Sequence, residues 1–130
     1  MVKRYLLDTH ILLWYYTEPE KLSKTAIDIL TNDDNQIYVS SASVWEMATK
    51  HRKGKLGKAQ KILENFEELM IDADFKPLSV NWRHAKLSGE YALNHADPFD
   101  RMLVAQAQIE QLILISCDDE INAFPIEVIW

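Results

Sequence analysis

A three-layer α/β domain with a central, mostly parallel sheet is the fold class this sequence predicts. Three observations lead there. Short apolar runs alternate with longer amphipathic ones along the chain. Three of the four short runs carry β-branched residues, as strands do. No internal repeat, low-complexity tract or Pro/Gly-rich linker divides the 130 residues, so one domain, spanning 1–130, is expected. Strands separated by helices imply βαβ units and a sheet covered on both faces.

The strands expected in order are RYLL at 4–7, QIYV at 36–39, LILI at 112–115 and IEVI at 126–129. Helical spacing of apolar residues marks 23–30, 42–50, 58–71, 82–93 and 98–111, and a further helix is expected to begin near Thr9. NDDN at 32–35 reads as a turn by composition. Asp97 before Pro98 has the pattern of a helix N-cap. The aromatic residues Trp14, Trp45, Trp82 and Trp130 are expected in the core, and Cys117 as a plain buried thiol.

Composition removes several classes of function. A net charge of −6 argues against a surface coated for nucleic acid. The charge is uneven, however: KHRKGKLGKAQK, at 50–61, holds five lysines and one arginine without an acid. This leaves 14 − 6 = 8 basic against 20 acidic residues elsewhere. Such a run reads first as a solvated helix end, but it could also guide an anionic substrate. No apolar run is long enough to cross a bilayer, and Asp8 and His10 interrupt the apolar N-terminal stretch, which therefore reads as structure rather than a signal. A single cysteine excludes an internal disulfide framework and fits the cytoplasm. His10, His51, His84 and His95 are scattered without a zinc pattern, and neither a GxSxG elbow nor a Gly-rich phosphate loop is present.

What remains is acidic. In open α/β sheets, functional groups collect beyond the carboxyl ends of the strands. Asp8 directly follows the first strand, where it is either a helix N-cap or a site residue. Asp118 and Asp119 follow LILIS in the same relation, with Asp118 nearer the strand end. Asp100 points to the same side of its helix as Leu103, Val104 and Ala107, and no cation stands at i+4, where Val104 lies. A carboxylate aimed inward needs hydrogen bonds, a positive partner or a metal. Glu46 shares a narrow polar stripe with Ser43 and Lys50. Spacing favours a solvent stripe with a Glu46–Lys50 pair, and the alternative is a buried helix presenting one acid to a cleft. Four acids near strand ends suit hard divalent cations such as Mg²⁺ or Mn²⁺ and a phosphate substrate.

Taken in order, LLDTHILLW, SSASVWEMATKHRKGKL, HADPFDRMLVAQA, LISCDDEI and EVIW make the chain resemble, over essentially its full length, a PIN-domain ribonuclease. The resemblance is specifically to the VapC-type toxins of bacterial type II (VapBC) toxin–antitoxin systems. It implies a metal-dependent endoribonuclease in which Asp8, Glu46, Asp100 and Asp118 are the catalytic acids. Asp8, Asp100 and Asp118 would bind one or two Mg²⁺ or Mn²⁺ ions, and Glu46 would do so directly or through water. Asp97 would share the metal or stand behind the ligands, and Asp119 is the alternative at the fourth position. The implied products carry 5′-phosphate and 3′-hydroxyl ends. Thr9 and Ser116 would orient ligands or touch substrate, and Lys50, Arg52 and Lys53 would meet RNA phosphates. The implied partners are a VapB-type antitoxin that offers a basic side chain to the acids, and a second copy in a homodimer or a toxin–antitoxin hetero-oligomer. Autonomous DNA recognition is not expected. Two other readings compete: a catalytically idle PIN-like module that binds proteins, and a PIN-like nuclease acting on DNA.

Overall fold

The computed structural model describes residues 2–130. Five parallel strands form one sheet: β1 (Arg4–Leu7), β2 (Gln36–Ser40), β3 (Lys76–Leu78), β4 (Ile113–Ile115) and β5 (Val128–Ile129), in the order β3-β2-β1-β4-β5. The register aligns Leu6 with Tyr38 on one side and with Leu114 on the other. Parallel neighbours require crossovers, and the helices supply them. After β1 come α1 (Thr9–Thr17) and α2 (Lys24–Leu30); after β2 come α3 (Ser41–Arg52), α4 (Gln60–Glu64) and α5 (Phe66–Asp72); after β3 come α6 (Trp82–Glu90) and α7 (Pro98–Glu110).

The period of two along each strand distributes these helices over two cores. Tyr5, Leu7, Ile37, Val39 and Ile115 face a core that also contains Ile11 and Leu12 of α1, Met47 of α3 and Ile62 of α4. Leu6 and Leu114 point the other way, against Leu103, Val104 and Ala107 of α7. The result is the α/β/α sandwich expected from the alternating pattern.

Differences from expectation have local causes. β3 was not foreseen; it is short, carries Pro77, and occupies a sheet edge, where a residue without an N–H is tolerated. The single helix expected over 58–71 is two, broken at Asn65 (φ −120°, ψ 30°). The expected helix 82–93 ends at Glu90, because the following loop is drawn to Arg101 instead, as described below. The tryptophans are not core: Trp45 is 65% and Trp82 93% exposed, Trp130 is exposed and Trp14 half-buried. Cys117, expected buried, is exposed. No helix among the described residues is long and apolar enough to cross a membrane.

Candidate metal centre

Strand order fixes where a site can form. From β1 the chain builds one way to β2 and β3, then the other way to β4 and β5, so the topological switch lies between β1 and β4. At such a point the loops leaving adjacent strands diverge and open a crevice at their carboxyl ends. Asp8 leaves β1 there, and Ser116 and Asp118 leave β4. The two exits are joined by the backbone, Asp8 N–H donating to the Ile115 carbonyl at 3.0 Å.

Asp8 sits at the N-cap position of α1 but does not cap it: its side chain makes no cap hydrogen bond. Instead Ser116 Oγ donates to Asp8 Oδ2 at 2.7 Å and accepts from the Asp118 N–H at 3.1 Å. One hydroxyl thus ties the two strand ends together. Asp8 is only 5% exposed, and burial pushes its pKa up against the opposing pull of Ser116 and the nearby His10.

Helix α3 carries its polarity inward. Ser40 caps it by accepting from the Ala42 N–H, and its buried residues are Ala42, Ser43, Glu46 and Met47. The solvent-stripe reading of Glu46 is therefore overturned: Glu46 is 3% exposed. Ala42 and Met47 pack inward on the same side, and Thr9 Oγ1 of α1 donates to Ser43 Oγ at 2.9 Å inside the protein. The i,i+4 pair does exist, Lys50 Nζ holding Glu46 Oε2. Burial works to lower the Lys50 pKa, but Glu46, with Asp97 and Asp100 behind it, leaves it raised. Glu46 Oε1 has no partner at all. An acid oxygen buried without a donor costs on the order of 1–3 kcal/mol unless something completes it.

Asp97 caps α7, its Oδ1 accepting from the N–H groups of Phe99 at 2.8 Å and Asp100 at 3.3 Å. Asp100, at the third position of that helix, aims inward as its spacing required. Its carboxyl is raised to about 6, first by burial and then by Asp8, Asp97 and Glu46, while a hydrogen bond to His95 works the other way. His95 is the feature the sequence reading missed. Asp100 was expected without a cationic partner, yet His95 Nε2 lies 3.0 Å from Asp100 Oδ2. That bond, with the surrounding acids, raises the imidazole pKa.

One ligand atom from each of His95, Asp100 and Asp118 lies within 4.8 Å of the others. Asp8 and Glu46 stand outside that trio but close enough to act on Asp100 through their charge. Asp119 opens a short 3-10 turn, is exposed, and does not join the group. Arg52 and Lys53 are exposed where α3 ends, and Lys58 of the basic run is tied to Glu18 at 2.8 Å. A second missed residue is Arg101. Its guanidinium donates to the carbonyls of Ser88, Tyr91, Leu93 and His95 at 2.6–3.1 Å, gathering the loop that carries His95.

The donor set fits a divalent cation. It offers carboxylate oxygens and one imidazole nitrogen, an excess of negative charge, and a buried acid oxygen with nothing bound to it.

Comparison with known proteins agrees with this architecture. The PIN domain family model matches residues 5–127. Among solved structures, the chain is similar to VapBC2 from Rickettsia felis bound to a promoter DNA fragment, with a TM-score of 0.67, 18% identity, and coverage of 100% of this chain and 99% of that one. It is also similar to FitAcB from Neisseria gonorrhoeae (TM-score 0.68, 18% identity, 100% and 97% covered) and to a toxin-antitoxin complex from Klebsiella pneumoniae (0.60, 21%, 97% and 96%). Comparison with curated proteins finds no significant match. The chain belongs to the PIN domain family.

Proposed function

We propose that this protein is the toxin of a VapBC-like pair: a cytoplasmic, Mg²⁺- or Mn²⁺-dependent endoribonuclease held in check by an antitoxin. The observation that carries the reading is Glu46, an acid with one unpartnered oxygen buried within the influence of Asp8 and Asp100. Carboxylates are not gathered in this way for stability, because each raises the cost of ionising the next.

In this reading Asp8, Asp100 and Asp118 hold the cation and Glu46 completes the site directly or through water. A bound cation supplies an acidified water as nucleophile and positive charge for the phosphate oxygens. Ser116 keeps Asp8 and the Asp118 backbone in fixed relation, so the acids from two strands present a constant spacing. Asp97 maintains the first turn of α7 and adds negative charge beside Asp100. Lys50 partly neutralises Glu46, and with Arg52 and Lys53 it provides the positive side of the cleft towards an RNA backbone. The structures to which the fold is similar include toxin–antitoxin complexes, which supports an antitoxin partner, and a homodimer would place two such sites together.

The test is cleavage of RNA and matched DNA by the purified protein. RNA should be cut with Mg²⁺ or Mn²⁺ and spared with EDTA, and Asp8→Asn and Asp100→Asn should be inactive. Preferential cutting of DNA would replace the substrate assignment. Metal-independent cleavage, or active Asp variants, would overturn the site.

A further inference from the structure

His95 stands in the cleft for a reason the acids alone do not supply. Its side chain is 9% exposed, and its ring packs edge-on against Phe124 with centroids 5.7 Å apart. Nδ1 faces the carboxylate of Glu120, 3.4 Å away, while Nε2 faces Asp100. Both ring nitrogens face carboxylates, so a cation at Nε2 would displace the proton shared with Asp100 while Glu120 keeps the Nδ1–H, the outer-partner arrangement of a metal-binding histidine. The separations suit this role too. Ligand bonds of about 2.1 Å at right angles place adjacent donor atoms about 3 Å apart, and Nε2 lies 3.0 Å from Asp100 Oδ2. The Asp118 carboxylate completes the trio within 4.8 Å. The second observation pointing to a ligand is independent: Glu46 Oε1, buried and without a partner, belongs to the same group of charges.

We propose that His95 Nε2 is a direct ligand of the cation, making the site a mixed imidazole–carboxylate centre that selects a transition-metal dication such as Mn²⁺ over Mg²⁺. The inference rests on the cleft being a metal site, as proposed above. The selectivity follows from donor chemistry. Mg²⁺ prefers an all-oxygen shell and gives up water reluctantly, whereas first-row transition cations gain from a nitrogen donor. An imidazole also adds a ligand without adding charge to a cleft already crowded with carboxylates. Arg101 is the positioning residue: by holding the carbonyls of Tyr91, Leu93 and His95 it keeps the ring in place before the cation arrives.

The experiment is pulsed electron paramagnetic resonance on the full chain, stripped of metal and loaded with Mn²⁺. The wild-type protein should show coupling to one directly bound nitrogen. His95→Gln should still bind Mn²⁺ but lose that coupling. Its Mn²⁺ affinity should fall by at least the ~10-fold that loss of an outer partner costs, with Mg²⁺ affinity changed far less. Bound Mn²⁺ without nitrogen coupling in the wild type overturns the role of His95 and leaves the metal site intact. So does coupling that survives in His95→Gln. A wild-type protein that takes up no Mn²⁺ overturns the metal site, and this inference with it. The wild-type spectrum decides the matter even where a variant fails to fold.

Discussion

The two sides of the cleft are built differently. On one side Asp8 is buried at a strand exit, locked by Ser116 from the neighbouring strand and closed to solvent. On the other, Asp100 is half-buried at a helix start and meets His95, which rides on a loop. The first side is held by the sheet itself. The second is held by one arginine that reaches back from α7 to four carbonyls. On the proposed reading, a cation would meet ligands fixed by the sheet on one side and a loop-borne wall on the other.

The largest expected effect lies where the two sides would meet the proposed cation. Asp8→Asn and Asp100→Asn should each reduce RNA cleavage by more than the ~10–100-fold typical of outer-shell changes, read as initial rates. Equal rates for wild type and either variant would remove that side from the site.

Next comes Ser116→Ala, which strips Asp8 of its donor and the Asp118 N–H of its acceptor. It should cost about 1–3 kcal/mol in denaturant unfolding and slow cleavage roughly 10–100-fold. Arg101→Gln tests the opposite side. It should accelerate amide exchange across residues 91–97 while leaving β1 and β4 protected, and slow cleavage about tenfold. If exchange rises evenly through the sheet instead, the division into a rigid and an adjustable half is wrong.

The smallest effect is on pH dependence in the metal-free protein. Asp100 titrates at about 6, above its unfolded value, and His95 is raised as well. In both, the folded state favours the protonated form. The stability this gives is complete below the unfolded pKa values of about 4 and 6.5 and is lost as pH rises through the folded ones. The wild type should therefore lose melting temperature between pH 4 and 8 more steeply than Asp100→Asn, which lacks the first effect and leaves His95 only the weaker pull of Asp118 and Glu120. Parallel curves would show that Asp100 is not under charge stress.

Much of this site could be read from the sequence because its parts are tied to regular elements. Asp8 and Asp118 follow apolar strands at once, and Asp100 sits on the inner face of a strongly periodic helix, so position follows from pattern. Glu46 was found but faced the wrong way. Ser43 and Glu46 form a polar stripe that spacing assigns to solvent, but α3 buries that side with Ala42 and Met47, Ser43 meets the Thr9 hydroxyl of α1, and Trp45 is left outside. His95 and Arg101 could not be placed by any period. One lies in an irregular loop, and the other shows its purpose only through carbonyls up to 13 residues away. The one sequence signal for His95 is its place five residues before the inward-facing Asp100. β3 escaped notice because an edge strand containing proline has neither the length nor the alternation that marks the others.

The central claim, that the acids of the cleft hold a divalent cation, is most directly tested by thermal melting against Mg²⁺ and Mn²⁺ concentration. Ligand that binds only the folded state raises the melting temperature with concentration. The wild type should melt progressively higher with either ion, and the Asp8→Asn/Asp100→Asn double variant should not respond. Equal responses from both proteins, or none from the wild type at millimolar metal, would contradict the account.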